Sequence, residues 1–565
     1  MATTATPLRS AWASLAGLLP SRADLAAARQ FKRRNLLAGV TVGIVALPLA
    51  LAFGETSGLG ARAGLVTAIV AGAVAAIFGG SNLQVSGPTG AMTVVLIPIV
   101  HHIGVGGVLM VGLMAGLLLI AAAAARLGRF INYVPAPVIE GFTAGIAVVI
   151  ALQQVPSALG VKAGEGDSAW RIAWDAAVAY SHAPTVAPVV IALGVAALIL
   201  AGTRVAPTVP MSLVAIVVVA CLVAFTPIDV PVIGSIPAGL PAPSLAFVDL
   251  SAVWTLASAA LAVATLSALE SLLSASVADG MTVGERHDPD RELFGQGLAN
   301  IASPIFGGIP ATAAIARTAV NVRAGASSKV AALSHALVLL VVVSVAGTVV
   351  GHIPSAALAG VLIATTIRMV EVGSVMAMAR STKRDALALG ATFALTVAFD
   401  LVTAVMVGIG IAVALGLRAV ARSVRLERVP LEAGEHSEEE HALLEQHVVA
   451  YRLDGPLFFA AAHRFLLQLS EVAVVRFVIL RMSRVSTVDA TGARVLSDAI
   501  TRLERRGIVV LMSGVSDSHH RVLMRAEPID HLRRRGLVFA DTPEAIAYAR
   551  EQLRQEREAE EARTE

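Results

Sequence analysis

The chain has 565 residues, 56% of them hydrophobic and 15% charged, with a net charge of +3 and a mean hydropathy of +0.77. A soluble globular chain is nearer 45–50% apolar, so the composition excludes one and implies repeated bilayer crossings. A small net charge gives no reason to expect a nucleic-acid partner, and one cysteine, Cys221, excludes an internal disulfide and argues against a cysteine-based metal site.

Residues 1–35 lack the compact apolar core and cleavage site of a secretory signal and read as a cytoplasmic N-terminal segment. Apolar spans then follow at 36–54, 63–79, 88–101, 107–125, 134–155, 184–203, 208–225, 252–277, 292–307, 312–322, 330–350, 354–371, 385–399 and 401–420. The third and tenth are too short to cross as helices by themselves. With the N-terminus inside, the even loops hold Arg126, Arg129, Arg204, Arg286, Arg291, Arg323, Lys329, Arg380, Lys383 and Arg384. The odd loops hold only Arg62, Lys162 and Arg171. This bias predicts an even number of spans and two cytoplasmic termini. Cys221 reads as a small packing residue within a span.

The transmembrane part is expected over 36–425 and a polar linker over 426–445. Short β-rich runs (HVVAYRL, VVRFVILRM, IVVLMSG) follow, alternating with helix-like stretches at Ala461–Glu471, Thr491–Arg506, His519–Arg525 and Pro543–Gln555. This alternation predicts a small α/β domain over 446–555, with 556–565 as a charged, frayed tail.

Two apolar stretches are interrupted, one in each half: GPTGAMTVV (Gly87–Val95) and GIPATAAIARTAVNVR (Gly308–Arg323). A helix that starts inside a membrane leaves its first N–H groups unpaired, and those groups with the helix dipole bind anions. Gly87-Pro88 and Gly308-Ile309-Pro310 suit such starts, and paired breaks in two halves point to a transporter's binding site. The competing reading is two proline kinks in ordinary helices. Arg317 adds a full positive charge near one break, where a cation is retained only for a partner, a cavity or a function. The competing reading is snorkelling to the interface. Glu270, deep in an otherwise uncharged span, reads as a carrier of a coupling ion, either H+ or Na+. Ser274 one turn on could add an oxygen ligand. The competing reading is a static ion pair with Arg317. Glu55 and Glu140 read as interfacial, His101 and His102 as loop residues, and His335 as a hydrogen-bonded packing residue. No catalytic set, zinc spacing or phosphate loop stands out, so an enzyme is not expected and no resident cofactor or metal is expected beyond possible Na+ at Glu270.

Several motifs together resemble the sulfate permease (SulP) family of anion transporters. They are LPLALAF (Leu47–Phe53), QVSGPTGAM (Gln84–Met92), ALESLLSASVADGMT (Ala268–Thr282) and the stretch Gly295–Gly325. YRLDGPLFFAAAHRF (Tyr451–Phe465) and STVDATGARVL (Ser486–Leu496) resemble the STAS domain that ends those transporters. The resemblance implies a polytopic α-helical membrane protein of about fourteen segments in two inverted seven-segment repeats. It implies a moving core (36–126 and 252–350) and a gate (134–225 and 354–425), with a cytoplasmic STAS domain.

The resemblance also implies a small anion held by Phe53, Gly87, Pro88, Thr89, Ala314, Ile315, Ala316 and Arg317, elevator movement, and a homodimer with STAS–STAS contact in the plasma membrane. Two positions depart from the pattern: Leu49 follows Pro48 where many relatives have glutamine, and Ala316 precedes Arg317 where many have serine. The pocket therefore fits a monovalent anion or a carboxylate with a proton as well as bicarbonate with sodium. Thr491 matches the hydroxyl position that can be phosphorylated in STAS proteins. It also reads as an ordinary N-cap, which is the favoured reading. The leading expectation is an H+- or Na+-coupled anion transporter, with an exchanger, a passive channel and a membrane sensor as alternatives.

Overall fold

The computed structural model describes residues 18–20, 24, 26, 29, 31–129, 135–162, 164, 168–206, 209–234, 236–284, 286–399, 401–423, 425–429, 447–457, 475–523 and 527–564. The linker residues 430–446 and the helix expected at Ala461–Glu471 lie outside them. The chain divides into two units, Met1–Gly410 and Ile411–Glu565.

Among the described residues the first unit is helical apart from one two-stranded pair and an isolated antiparallel bridge between Val232 and Pro354. In chain order it contains α1 (Lys32–Thr56), α2 (Ala61–Phe78), β1 (Ser86–Gly87), α3 (Gly90–Ala124), α4 (Ala136–Gln153), α5 (Val155–Leu159), α6 (Ala169–His182), α7 (Val186–Val205) and α8 (Met211–Phe225). It continues with α9 (Val253–Gly280), α10 (Pro289–Ile305), β2 (Thr312–Ala313), α11 (Ile315–Arg323), α12 (Val330–Val350), α13 (Ser355–Met369), α14 (Val372–Ser381), α15 (Lys383–Ala398) and the start of α16 (Leu401–Ser423). Among the described residues, eight helices are long and apolar enough to cross a bilayer by length and composition. Exposed apolar side chains such as Val190, Leu193, Val217 and Val345 coat the outward helix faces, the surface a bilayer would wet.

Several expectations change. The spans at 88–101 and 107–125 are one trace, α3, broken only at Gly104, whose φ of 81° and ψ of −173° are non-helical. That conformation suits glycine, and it is why two short spans read separately. His101 and His102 are helical and exposed, not loop residues. Cys221 is exposed on α8 and fills no packing site. Two helices were not expected. α6 turns Ile172, Ala173 and Ala176 inward and exposes Trp170 and Trp174 one turn apart, the character of an interfacial helix. α14 links α13 to α15.

Packing groups α1, α2 and α3 with α9, α10, α11 and α12, and groups α4, α7 and α8 with α13 and α15. Small residues permit the closest crossings. A side chain on Gly64 of α2 would collide with Gly54 of α1, and one on Gly116 of α3 with Gly297 and Ile301 of α10. A polar fastening sits where α2 ends. Glu292, buried, accepts hydrogen bonds from the Gly80 and Ser81 amides at 2.9 and 3.2 Å and from Gln296 Nε2 at 2.9 Å. Lys329 Nζ donates to the Gly79 carbonyl at 2.5 Å, and Arg291 pairs with Asp24 at 2.7 Å.

In the second unit the sheet order is β3-β4-β5-β6-β7, from β3 (Arg425–Val429), β4 (Val448–Leu457), β5 (Phe477–Val488), β6 (Val509–Ser513) and β7 (Val538–Phe539). β3 is antiparallel to β4 and the other pairs are parallel. Parallel neighbours need crossovers, supplied among the described residues by α17 (Ala490–Arg505), α18 (Asp517–Leu523) and α19 (Glu527–Arg534); α20 (Thr542–Thr564) closes the domain. The near-continuous apolar run of β5 is buried beneath Leu496, Ile500 and Leu503 of α17. The expected frayed tail is helical to Thr564.

Candidate functional site

The two interrupted stretches meet. β1 and β2 pair antiparallel, with Ser86 opposite Ala313 and Gly87 opposite Thr312. Each strand is followed by a helix whose N-terminus has no side-chain cap: α3 after Thr89 and α11 after Ala314. The helices therefore begin later than the prolines suggested. Pro88 stands two residues before Gly90. Pro310 lies in an extended stretch five residues before Ile315, so the expected starts at Pro88 and Pro310 are corrected to Gly90 and Ile315. The reason is that both short strands are spent on pairing with each other before either helix can turn.

Backbone that is neither helix nor closed barrel must find partners inside a membrane. Here buried side chains supply them. Thr67 Oγ1 accepts from the Ile309 amide at 2.7 Å, and Asn300 Oδ1 accepts from the Ala311 amide at 2.8 Å. Asn300 Nδ2 and Ser267 Oγ donate to the Ala311 carbonyl at 2.8 and 3.0 Å. Ser271 Oγ accepts from the Ala313 amide at 3.2 Å, Thr318 Oγ1 accepts from the Val85 amide at 3.2 Å, and Asn321 Nδ2 donates to the Leu83 carbonyl at 2.7 Å. Gln296 Nε2 donates to Ser86 Oγ at 2.7 Å. These residues lie outside the candidate site drawn from the sequence. Their signal was present: Gln296, Asn300 and Asn321 are amides inside apolar spans, expensive there without a task.

Among the described residues Arg317 is the largest fully buried side chain, 1% exposed. Its Nη2 donates to the Pro88 carbonyl, so the arginine of α11 grips the residue that precedes α3. Its Nε and Nη1 have no partner. The guanidinium passes close to β1, where a Cβ at Gly87 would stand 2.5 Å from Nη1 and 3.3 Å from the Ala68 Cα. Glycine is needed there for this close approach. The snorkelling alternative does not hold, because the charge turns into the protein.

Glu270 lies across from this grip. Thr89 Oγ1 donates to Glu270 Oε2 at 2.9 Å, which explains why Thr89 leaves its own helix uncapped. Arg317 and Thr312 also face the carboxylate, but among the described residues no ion pair within 4.0 Å joins Glu270 to Arg317. Ser274 is buried and spends its hydroxyl on Thr318 Oγ1 at 2.9 Å. Phe53 of α1 is buried with its ring at the α3 start, where a Cβ on Gly90 would meet Phe53 Cε1 at 3.1 Å and collide with Ile150 of α4.

The structure thus brings Phe53, Gly87, Pro88, Thr89, Ala314, Ile315, Ala316, Arg317 and Glu270 to one place. His335 is fully buried, as the packing role requires, but neither ring nitrogen has the hydrogen-bond partner that was expected. Thr491 is elsewhere, exposed in the first turn of α17. The N-cap of that helix is Asp489, whose Oδ1 accepts from the Gly492 amide at 2.6 Å, so the N-cap reading of Thr491 is corrected. A carboxylate two residues earlier already occupies the capping position.

Chemically, the site offers two uncapped helix N-termini and one buried guanidinium with free donors, beside one carboxylate. That set suits an anion. Among the described residues no group of three metal-ligating side chains occurs.

Comparison with known proteins agrees with this chemistry. The sulfate permease family model matches residues 33–392 and the STAS domain model residues 442–544. The putative sulfate transporter YvdB of Bacillus subtilis is 36% identical over 502 residues, 87% of this chain and 93% of that protein. The bicarbonate transporter BicA of Synechocystis sp. is 30% identical over 533 residues, 91% of this chain and 92% of that one. The murine Slc26a9 anion transporter, solved in an inward-facing state, superposes with a TM-score of 0.82 over 97% of this chain and 96% of that one. At 17% identity it speaks to the fold alone.

Proposed function

The chain belongs to the sulfate permease family, and from that premise we propose that it is a secondary active transporter carrying a small anion such as bicarbonate, a dicarboxylate or sulfate. The observation that carries this reading is Arg317: a buried cation with two unpaired donor nitrogens, set between two uncapped helix starts. Such donors are costly unless a guest meets them. One cation and the apolar neighbours Leu49 and Ala316 favour a singly charged guest, or a carboxylate carried with a proton.

Glu270 supplies the coupling. While ionised it competes with the guest for the field of Arg317. Uptake of H+ or Na+ at the carboxylate removes that competition, so anion and cation bind together more readily than either alone. Thr89, bonded to Glu270 and placed at the head of α3, carries the change to the anion site. The helices around the site, α1–α3 with α9–α12, then move as a body against the others in an elevator cycle. The protein works as a homodimer with STAS–STAS contact in the plasma membrane, both termini cytoplasmic.

The test is uptake of labelled bicarbonate, sulfate, chloride, fumarate and succinate into proteoliposomes, with proton and sodium gradients imposed separately. Uphill accumulation driven by one gradient is expected, and Glu270→Gln should abolish it while sparing exchange. Undiminished uphill uptake in that variant overturns the coupling role. Currents far above transporter turnover would indicate a channel.

A further inference from the structure

A cleft opens where the start of α1 meets the end of α11, and the anion site does not use it. Phe31, Lys32, Arg33, Arg34 and Leu37 line it from α1 and Ala324 from the residue after α11, and its volume is about 500 Å³. That lies in the range of small-ligand sites, about 300–1,000 Å³. Arg34 forms one wall. A Cβ on Gly325, which turns the chain at a φ of 86°, would stand 2.5 Å from Arg34 Nε, so glycine lets the guanidinium lie against the turn between α11 and α12. Arg323, the last residue of α11, is exposed next to the lining residue Ala324.

The charge around this cleft is unanswered. Residues 1–54 hold six basic side chains, Arg9, Arg22, Arg29, Lys32, Arg33 and Arg34, and one carboxylate, Asp24. Asp24 is taken by Arg291 at 2.7 Å and Lys329 at 3.7 Å. The described carboxylates leading into α10 are taken too. Asp279 holds His287 at 2.7 Å, Asp288 caps α10, Asp290 accepts from the Gly128 amide and Glu292 from the Gly80 amide. Among the described residues no ion pair or side-chain hydrogen bond engages Lys32, Arg33, Arg34 or Arg323, and all four are exposed. The positive-inside bias asks for basic residues at this end of the span, but it does not ask that they border a cleft.

The surroundings of the cleft indicate its occupant. α1 is itself long and apolar enough to cross a bilayer. One side of it buries Asn35, Ala38, Gly39 and Val42, and the opposite side exposes Arg33, Leu36, Leu37 and Val40. The cationic cleft therefore runs into an apolar face that lipid tails wet, and Leu37 belongs to both. A free anion would meet the charges and leave Phe31, Leu36 and Leu37 bare, at 67%, 48% and 61% exposure. An amphiphile with a negative head covers both. Arginine forks match phosphate geometry, and basic clusters at the end of a membrane span attract anionic lipid. We infer that the cleft between Phe31–Leu37 and Ala324 binds the phosphate of one anionic phospholipid, with its acyl chains along Leu36, Leu37 and Val40.

The test uses the full-length protein, purified in a neutral detergent and equilibrated with equal amounts of phosphatidylglycerol and phosphatidylcholine. Native mass spectrometry counts the lipids that stay bound. One phosphatidylglycerol per chain is expected to be retained about tenfold over phosphatidylcholine. The preference should vanish in K32Q/R33Q/R34Q and hold in K32R/R33K/R34K, which keeps the charge. It should also hold in R380Q/K383Q/R384Q, which removes as much charge from the exposed basic turn between α14 and α15. Thermal melting reads the fold of each variant. Equal retention of the two lipids, or an undiminished preference in K32Q/R33Q/R34Q, overturns the proposal. So does an equal loss in R380Q/K383Q/R384Q, which would make net charge the cause. Displacement of the lipid by glycerol 3-phosphate also overturns it, since the cleft would then be a site for soluble anions. No transport is measured, so the outcome is independent of the transport reading.

Discussion

Replacing Arg317 by methionine separates the charge of the site from its fold. The guanidinium is buried, holds the Pro88 carbonyl through Nη2 and leaves Nε and Nη1 open. For an anion about 4 Å from the charge, the attraction is about 4 kcal/mol at an effective dielectric of about 20 and about 1 kcal/mol in bulk water. Full burial puts the site near the first value, so Arg317→Met should weaken anion binding about a thousandfold. Stability should change little, by about 1 kcal/mol either way. The lost bond to Pro88 is offset by removing a desolvated cation whose other donors were unmet. Arg317→Lys keeps the charge but not the fork, and should fall between, with a loss of roughly tenfold or more. Isothermal titration of purified protein with candidate anions reads the affinity, and thermal melting of the same samples reads the fold. A folded Arg317→Met protein that binds its anion as the parent does would refute the reasoning.

Three further outcomes follow from the same contacts. Gly87→Ala adds a Cβ that would stand 2.5 Å from Arg317 Nη1 and 3.3 Å from the Ala68 Cα, so it should raise the anion Kd with the charge intact, read by the same titration. Glu292→Ala strands the Gly80 and Ser81 amides and a donor of Gln296, and should cost about 3–5 kcal/mol in denaturant unfolding; Glu292→Gln should cost less. Asp489→Ala removes the cap of α17 and should cost about 1 kcal/mol, seen as faster hydrogen exchange in its first turn. Thr491→Ala should leave that exchange nearly unchanged.

Much of this architecture was legible before any coordinates. Apolar runs of bilayer length gave the spans of α1, α2, α7 and α12 to within a few residues, because burial in lipid demands that length whatever the neighbours are. The alternation after residue 446 gave the α/β character of the second unit, since a parallel sheet needs both its apolar strands and its crossovers. The chemistry-bearing residues Glu270 and Arg317 stood out because a charge in an apolar span is costly. Less legible was anything set by contact. α6 lacks the apolar length of a span and declares itself only by the face it buries. The helix starts at Gly90 and Ile315 could not be read from Pro88 and Pro310, because strand pairing decides where each helix begins.

The sequence by itself determined that this chain lives in a bilayer, carries a separate α/β domain and retains a cation and a carboxylate within apolar stretches. Those properties follow from composition and period, which are local. Only the tertiary structure decided that the two breaks pair with each other, and that Arg317 grips the carbonyl before the opposite helix. It also decided that Thr89 serves Glu270 in place of its own helix, and that Asn300, Thr67 and Ser271 satisfy the exposed backbone. Each of these contacts joins residues far apart in the chain. Their partners are chosen by packing geometry and by the need to satisfy every buried polar group, and neither is written in any local pattern.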